Sequence, residues 1–137
     1  MKQMDTEYIH QNLTKKIIEV FYEVYSELGY GFLEKVYENA MVIALKSKNI
    51  NCQRQKKINV VFRGETVGEY YSDLIVNDSV IVELKACEIL VSEHEYQLIN
   101  YLRATEIEVG LLMNFGKKPE IRRKIFTNDR KPSQIKQ

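Results

Sequence analysis

Residues 70–85 read YYSDLIVNDSVIVELK, and no other stretch limits the fold as tightly. It is apolar and β-branched on both sides of a polar Asn77-Asp78-Ser79 turn, the pattern of a buried β-hairpin. Yet Asp73, Glu83 and Lys85 are set into it. Charges inside an apolar hairpin are costly unless they are paired or bind a metal. Register decides whether they meet. A two-residue turn pairs Val76 with Ser79 and sends Asp73 and Glu83 to opposite faces. A three-residue turn pairs Val76 with Val80 and Asp73 with Glu83. It also gathers Leu74, Val76, Val80, Val82 and Leu84 on one apolar face. Hydrophobic pattern sets register, so the odd-length turn is expected.

Carboxylates directly opposite one another repel. A divalent cation removes that cost, and Mg²⁺ typically takes one or two carboxylates with waters and phosphate oxygens. A lysine just beyond can hold an attacking water or offset charge developing on a phosphorus centre. A plain salt bridge between Lys85 and one acid explains the same spacing, and spacing alone leaves both open.

The rest of the chain reads as one α/β domain. Apolar residues at helical spacing run from Ile9 to Leu28, with Gly29 as a stop. A second helix is expected from about Phe32, burying Leu33, Val36, Tyr37, Ala40 and Ala44. Strand patterns follow over Ile58–Phe62, Val67–Val76 and Val80–Lys85. Ser92-Glu93-His94-Glu95 has the form of a capping box opening a helix to about Ala104. Val109–Phe115 reads as a buried strand and Ile121–Phe126 as an edge strand. The expected order is α-α-β-β-β-α-β-β around a mixed sheet, with residues 1–126 as the domain and 127–137 as a polar tail. At 137 residues the chain suits a single core. No apolar run nears the roughly 20 residues of a membrane span, and MKQMDTEYIH has no signal-peptide core. Cys52 and Cys87 are expected as buried thiols in a reducing compartment, which makes the cytoplasm the default.

Charge is uneven despite a net +1. Residues 64–95 hold eight acids and one lysine, whereas Lys117–Lys136 is strongly basic and Arg54–Lys57 forms a second basic run. That suits a cation site beside a polyanion track, or simply two solvated faces. Glu34 falls in the first turn of the second helix, where the macrodipole favours a carboxylate, and Glu38 lies one turn on. His94, Gln97 and Tyr101 share one face of the third helix, a polar row at the edge of the core.

Taken together, GFLEKVYE, YSDLIV, VIVELKA, HEYQLINYL and GLLMNFG resemble the GxxExxY family, placed in the PD-(D/E)XK nuclease superfamily. The resemblance covers roughly Leu28 to Phe126. Ser72 stands where the superfamily's name has proline. The resemblance implies a restriction-endonuclease-like core, Glu34 as the first-helix acid, Asp73 as the metal-binding aspartate, and Glu83 with Lys85 as the ExK pair. Gln97 and Tyr101 are similar to the QxxxY element of RecB-like nucleases. The expectation is therefore a Mg²⁺- or Mn²⁺-dependent nuclease hydrolysing phosphodiester bonds in DNA. Asp73, Glu83 and the Leu84 carbonyl would hold the metal, with Glu34 binding directly or through water. Glu34 is favoured over Glu38 for this, a choice the resemblance does not settle. Lys85 would position water and Gln97 would orient Lys85 or the phosphate. Glu38, His94 and Tyr101 are supporting candidates. Arg54, Lys56, Lys57, Arg122, Arg123 and Lys124 are candidates for backbone contacts. A homodimer is allowed, and no membrane is involved. Archaeal Holliday-junction resolvases are neighbours in size and acid-lysine set but usually more basic. The alternative is a non-catalytic module, binding nucleic acid or protein, that keeps the nuclease fold.

Overall fold

The computed structural model describes residues 9–132. Residues 1–8, most of the stretch read for a leader, and 133–137, which include Lys136 of the basic tail, lie outside the described residues. Helices α1 (Gln11–Leu28) and α2 (Glu34–Ser47) precede strands β1 (Cys52–Phe62), β2 (Glu65–Val76) and β3 (Val80–Lys85). Then come α3 (Ser92–Arg103), β4 (Val109–Phe115) and β5 (Pro119–Ile125). The order is the expected one, and the fold is a mixed α/β sheet flanked by helices.

The five strands lie side by side in chain order, β3 parallel to β4 and every other pair antiparallel. The crossover through α3 makes that one parallel pair, as a helical connection requires. Two apolar layers sandwich the sheet. On one side Leu74, Val76, Val82, Leu84, Leu111 and Met113 pack against Ile17, Phe21, Tyr37 and Met41 of α1 and α2. On the other, Ile75, Ile81 and Leu112 pack against Leu98, Tyr101 and Leu102 of α3.

The hairpin has the expected register. Val76 faces Val80 and Leu74 faces Val82 across a three-residue turn, with Asn77 and Asp78 in left-handed backbone (φ 49° and 53°) that short polar side chains tolerate. β1 begins at Cys52, well before the apolar run, because Gln53, Arg54, Lys56 and Lys57 pair with β2 although their side chains are exposed. The second basic run, Arg54–Lys57, therefore lies on an edge strand. β2 pairs with β1 along nearly its whole length but with β3 only over Leu74–Val76, so the far part of the β1–β2 hairpin projects as an arm.

Three further expectations change. Leu33 (80% exposed) and Val36 (38% exposed) face outward rather than joining the buried stripe of α2, whose apolar members are Tyr37, Met41 and Leu45. Ser92 is already the first helical residue and Val91 is the cap position, in extended backbone. The reciprocal contact comes from His94, whose Nδ1 accepts the Val91 N–H at 3.2 Å, while Glu95 turns to β5 and pairs with Arg122 and Lys124. Cys52 and Cys87 are free thiols, half-buried rather than buried. Past β5 the chain is held, since Lys131 Nζ donates to the Thr105 and Ile107 carbonyls.

Candidate active site

The backbone ladder between β2 and β3 stops after Leu74–Val82. One residue further, side chains take its place. Glu83 Oε2 accepts the Asp73 N–H at 2.9 Å, and Asp73 Oδ2 accepts the Leu84 N–H at 2.8 Å. Each strand thus offers a carboxylate to the other's orphaned amide, and the two acids are locked together at the notch where the strands part. Gln55 marks the same spot on β1 with a left-handed φ of 48°. Beyond that point the paired Ile58 and Tyr70 have turned to the α3 side.

Burial and crowding set the electrostatics. Glu83 is 4% exposed. Desolvation first, then the Asp73 charge and more weakly that of Glu34, push its carboxyl up to about 8 against the opposing pull of the Asp73 amide and Lys85. Asp73 is also raised, again mainly by burial and then by Glu38, opposed by the Leu84 amide, Lys85 and Gln55. Lys85 follows Glu83 by two along β3 and so shares its face, and it forms no ion pair among the described residues.

Glu34 and Glu38 reach this notch from α2. A cleft of about 190 Å³ is lined by Glu34, Lys35, Glu38, Gln55, Asp73 and Leu84. Glu34 is exposed at the first position of the helix. Glu38 is buried and engaged, pairing with Lys35 at 2.8 Å and Arg54 at 3.6 Å and accepting Gln55 Nε2 at 2.8 Å. Gln55 also lies 3.5 Å from Asp73 Oδ1. It is the link that sequence reasoning missed, hidden in the polar run Arg54-Gln55-Lys56-Lys57 with no local signal.

The loop before Glu34 explains a glycine, a glutamate and a tyrosine at fixed spacing. Gly31 has φ 110°, a conformation that side chains other than glycine's rarely adopt. The Tyr37 hydroxyl donates to the Gly29 carbonyl at 2.7 Å and accepts the Phe32 N–H at 3.2 Å. Its ring stacks on Phe115 at 4.1 Å. Tyr37 thereby ties the Gly29–Phe32 turn to the core and fixes where α2, and Glu34 with it, begins.

On α3 the polar row is present but differently engaged. Gln97 Nε2 donates to the Tyr101 hydroxyl at 2.9 Å rather than meeting Lys85. Burial, then the Glu83 charge, push the Tyr101 phenol up to about 12, so Tyr101 borders the notch on the α3 side. His94 caps its helix. The loop after Lys85 is stapled by buried Asn114, whose amide accepts the Cys87 N–H at 3.0 Å and donates to its carbonyl at 2.9 Å.

The six basic candidates do not form one track. Arg54, Lys56 and Lys57 lie on β1 and Arg122, Arg123 and Lys124 on β5, the two opposite edges of the sheet. Lys56 pairs with Asp78, Lys57 with Glu69, and Arg122 with Glu95 and Glu120. Arg123 donates to the Ile9 carbonyl at 2.6 Å.

The donor set is all oxygen, which suits a hard divalent cation. Among the described residues no three Asp, Glu, His or Cys side chains converge closely enough to hold an ion. A site on the Asp73 and Glu83 carboxylates with the Leu84 carbonyl still fits a cation that keeps most of its waters.

A mixed sheet carrying paired acids and a lysine at a strand fork, with a helix-borne glutamate opposite, defines a nuclease-like fold. The sequence model of the PD-(D/E)XK nuclease superfamily matches residues 11–124, and the chain belongs to that superfamily. Nucleases of this superfamily generally use divalent metals. Among solved structures, the crystal structure of SSO0001 is similar, with a TM-score of 0.53 at 16% identity, covering 68% of this chain and 50% of that one. The chain spans about half the length of SSO0001, and the likeness concerns the fold alone. No curated protein matches the chain. No helix among the described residues is long and apolar enough to cross a membrane.

Proposed function

We propose that this chain is a Mg²⁺- or Mn²⁺-dependent nuclease of the GxxExxY family, hydrolysing phosphodiester bonds in DNA. The observation that carries the reading is the reciprocal lock between Asp73 and Glu83 at the strand fork. Packing needs no second acid there, and burial makes each cost more while the other is charged. Asp73, Glu83 and the Leu84 carbonyl would hold the cation, with Glu34 joining directly or through water. A bound divalent cation supplies charge stabilisation at phosphorus and acidifies water. Lys85, unpaired beside the two acids, stabilises negative charge developing on the phosphate oxygens and holds the attacking water. Gln55 keeps Glu38 and Asp73 in register. Gln97 acts through Tyr101, whose hydroxyl it orients at the rim. The reading includes a cytoplasmic location and allows a homodimer.

A non-catalytic module that kept the fold is the second reading, favoured by the lack of a three-ligand cluster among the described residues. Incubating the protein with labelled single-stranded, duplex and branched DNA and with RNA, in Mg²⁺, Mn²⁺ or chelator, separates the two. Cleavage that needs metal and is abolished by Asp73→Asn supports the enzyme. Binding without cleavage of any substrate supports the module.

A further inference from the structure

A second cavity is larger than the acidic cleft. A groove of about 710 Å³ opens between the projecting β1–β2 arm and α3. Three tyrosines line it: Tyr70 on the arm and Tyr96 and Tyr101 on α3. Tyr96 is 62% exposed and Tyr70 47%, high values for large rings that could have been buried. The Tyr70 and Tyr101 rings lie 5.7 Å apart at 48°. Gln97 and Asn100 add amides to the lining and Val60 and Val61 add apolar surface, while Arg103 and Glu93 are the groove's two oppositely charged residues. The lining thus offers π-faces and hydrogen-bonding edges with little net charge. That is the chemistry of a nucleobase rather than of a phosphate chain.

Tyr101 joins the groove to the notch. Its ring meets Tyr70 inside the groove, and its hydroxyl senses Glu83 and Asp73. A strand whose bases lie along the arm would therefore bring its adjoining phosphate to the carboxylates. Stacked, paired bases in a duplex cannot present their faces to these rings.

We propose that the groove between the arm and α3 receives unpaired bases of a single-stranded nucleic acid and so selects single-stranded or frayed substrate. The proposal rests on the nuclease reading for what lies at the head of the groove, but its test needs no cleavage. Fluorescence anisotropy in chelator would compare a labelled single strand, as DNA and as RNA, with its duplex and with an abasic strand of equal length. Tighter binding of either base-bearing single strand than of duplex and abasic strand is expected. Tyr96→Ala and Tyr70→Ala should each weaken it about ten-fold, the scale of one lost base–aromatic stack, whereas Tyr96→Phe and Tyr70→Phe should retain it. Thermal melts confirm that each variant folds, and exposed Tyr96 stands as the decisive one if Tyr70→Ala does not. Equal binding of the abasic strand, preference for duplex, or unchanged affinity in Tyr96→Ala overturns the proposal. Metal-dependent cleavage of duplex DNA alongside any of these would leave the nuclease reading standing.

Discussion

A carboxyl group as deeply buried as Glu83, with Asp73 bonded to it through the backbone, holds its proton to about pH 8. The unfolded chain releases that proton near the ordinary carboxylate value of 4.5. Between those limits the native state binds more protons than the unfolded state, so stability without metal falls as pH rises, by at most about 1.4 kcal/mol per unit. Glu83→Gln keeps an acceptor for the Asp73 N–H and removes the titration. Denaturant unfolding in chelator at pH 5.5, 7 and 9 should show wild type losing more stability towards pH 9 than the variant does. Parallel profiles would show that Glu83 is not the perturbed acid. Lys85→Ala is the complementary change, since it spares the proposed metal ligands. Turnover should fall about a hundred-fold, on the order of 3 kcal/mol, with substrate affinity little changed. Single-turnover rates beside binding isotherms check this, and a variant as fast as wild type removes Lys85 from the chemistry. Asp73, Glu83 and Lys85 were legible because period-two alternation admits one register that keeps an apolar face intact. Gln55 was not, because its role comes from a left-handed backbone opposite Asp73, and no residue near it signals that conformation.

At the scale of elements, α2 shows how a helix start becomes part of a site. Its cap position, Leu33, offers no side-chain acceptor, so the turn is fixed instead by Tyr37 reaching back to Gly29 and Phe32. Tyr37→Phe preserves the ring stacked on Phe115 and deletes both hydrogen bonds. The expected cost is about 1–2 kcal/mol of stability, at roughly 1 kcal/mol per bond. If Glu34 serves the metal, the metal requirement for cleavage should rise while the fold stays intact. Titrating activity against Mg²⁺ for Tyr37→Phe and Glu34→Gln tests this, and an unchanged metal requirement in both would assign the metal role elsewhere on α2. Helix and strand identities followed from periodicity because both sheet faces are buried and the apolar spacing is strong. Helix ends were less legible. His94 rather than Glu95 is the reciprocal capping partner because the cap falls at Val91, one residue before Ser92, and Glu95 is held by Arg122 and Lys124 of β5, outside the local sequence.

Across the whole molecule, the six basic candidates lie on opposite edges of the sheet, and Arg54, Lys56, Lys57, Arg122 and Lys124 each pair with an acid of the fold. The sequence showed their number, but which acid each would meet depends on strand order. Six free cations on phosphates would give log affinity for a single strand a slope near −4 against log salt, at about −0.7 per contact. With Lys57, Arg122 and Lys124 held by Glu69, Glu95 and Glu120, and with stacking in the groove supplying the affinity, the slope should be much shallower, nearer −1 or −2. Glu95 is the acid that ties α3 to β5. Its carboxyl lies below the ordinary range, first through the Lys124 hydrogen bond, with the Lys124 and Arg122 charges acting the same way. Glu95→Gln frees Lys124 and partly frees Arg122, which keeps Glu120, so one or two cations become available to phosphate. Single-strand binding measured from 50 to 300 mM salt should then steepen by about one unit and strengthen most at low salt. Duplex binding should steepen likewise, because the released charges read backbone and not base. A steep slope already present in wild type would mean that the ion pairs open on binding, and phosphate contacts would then dominate over the groove.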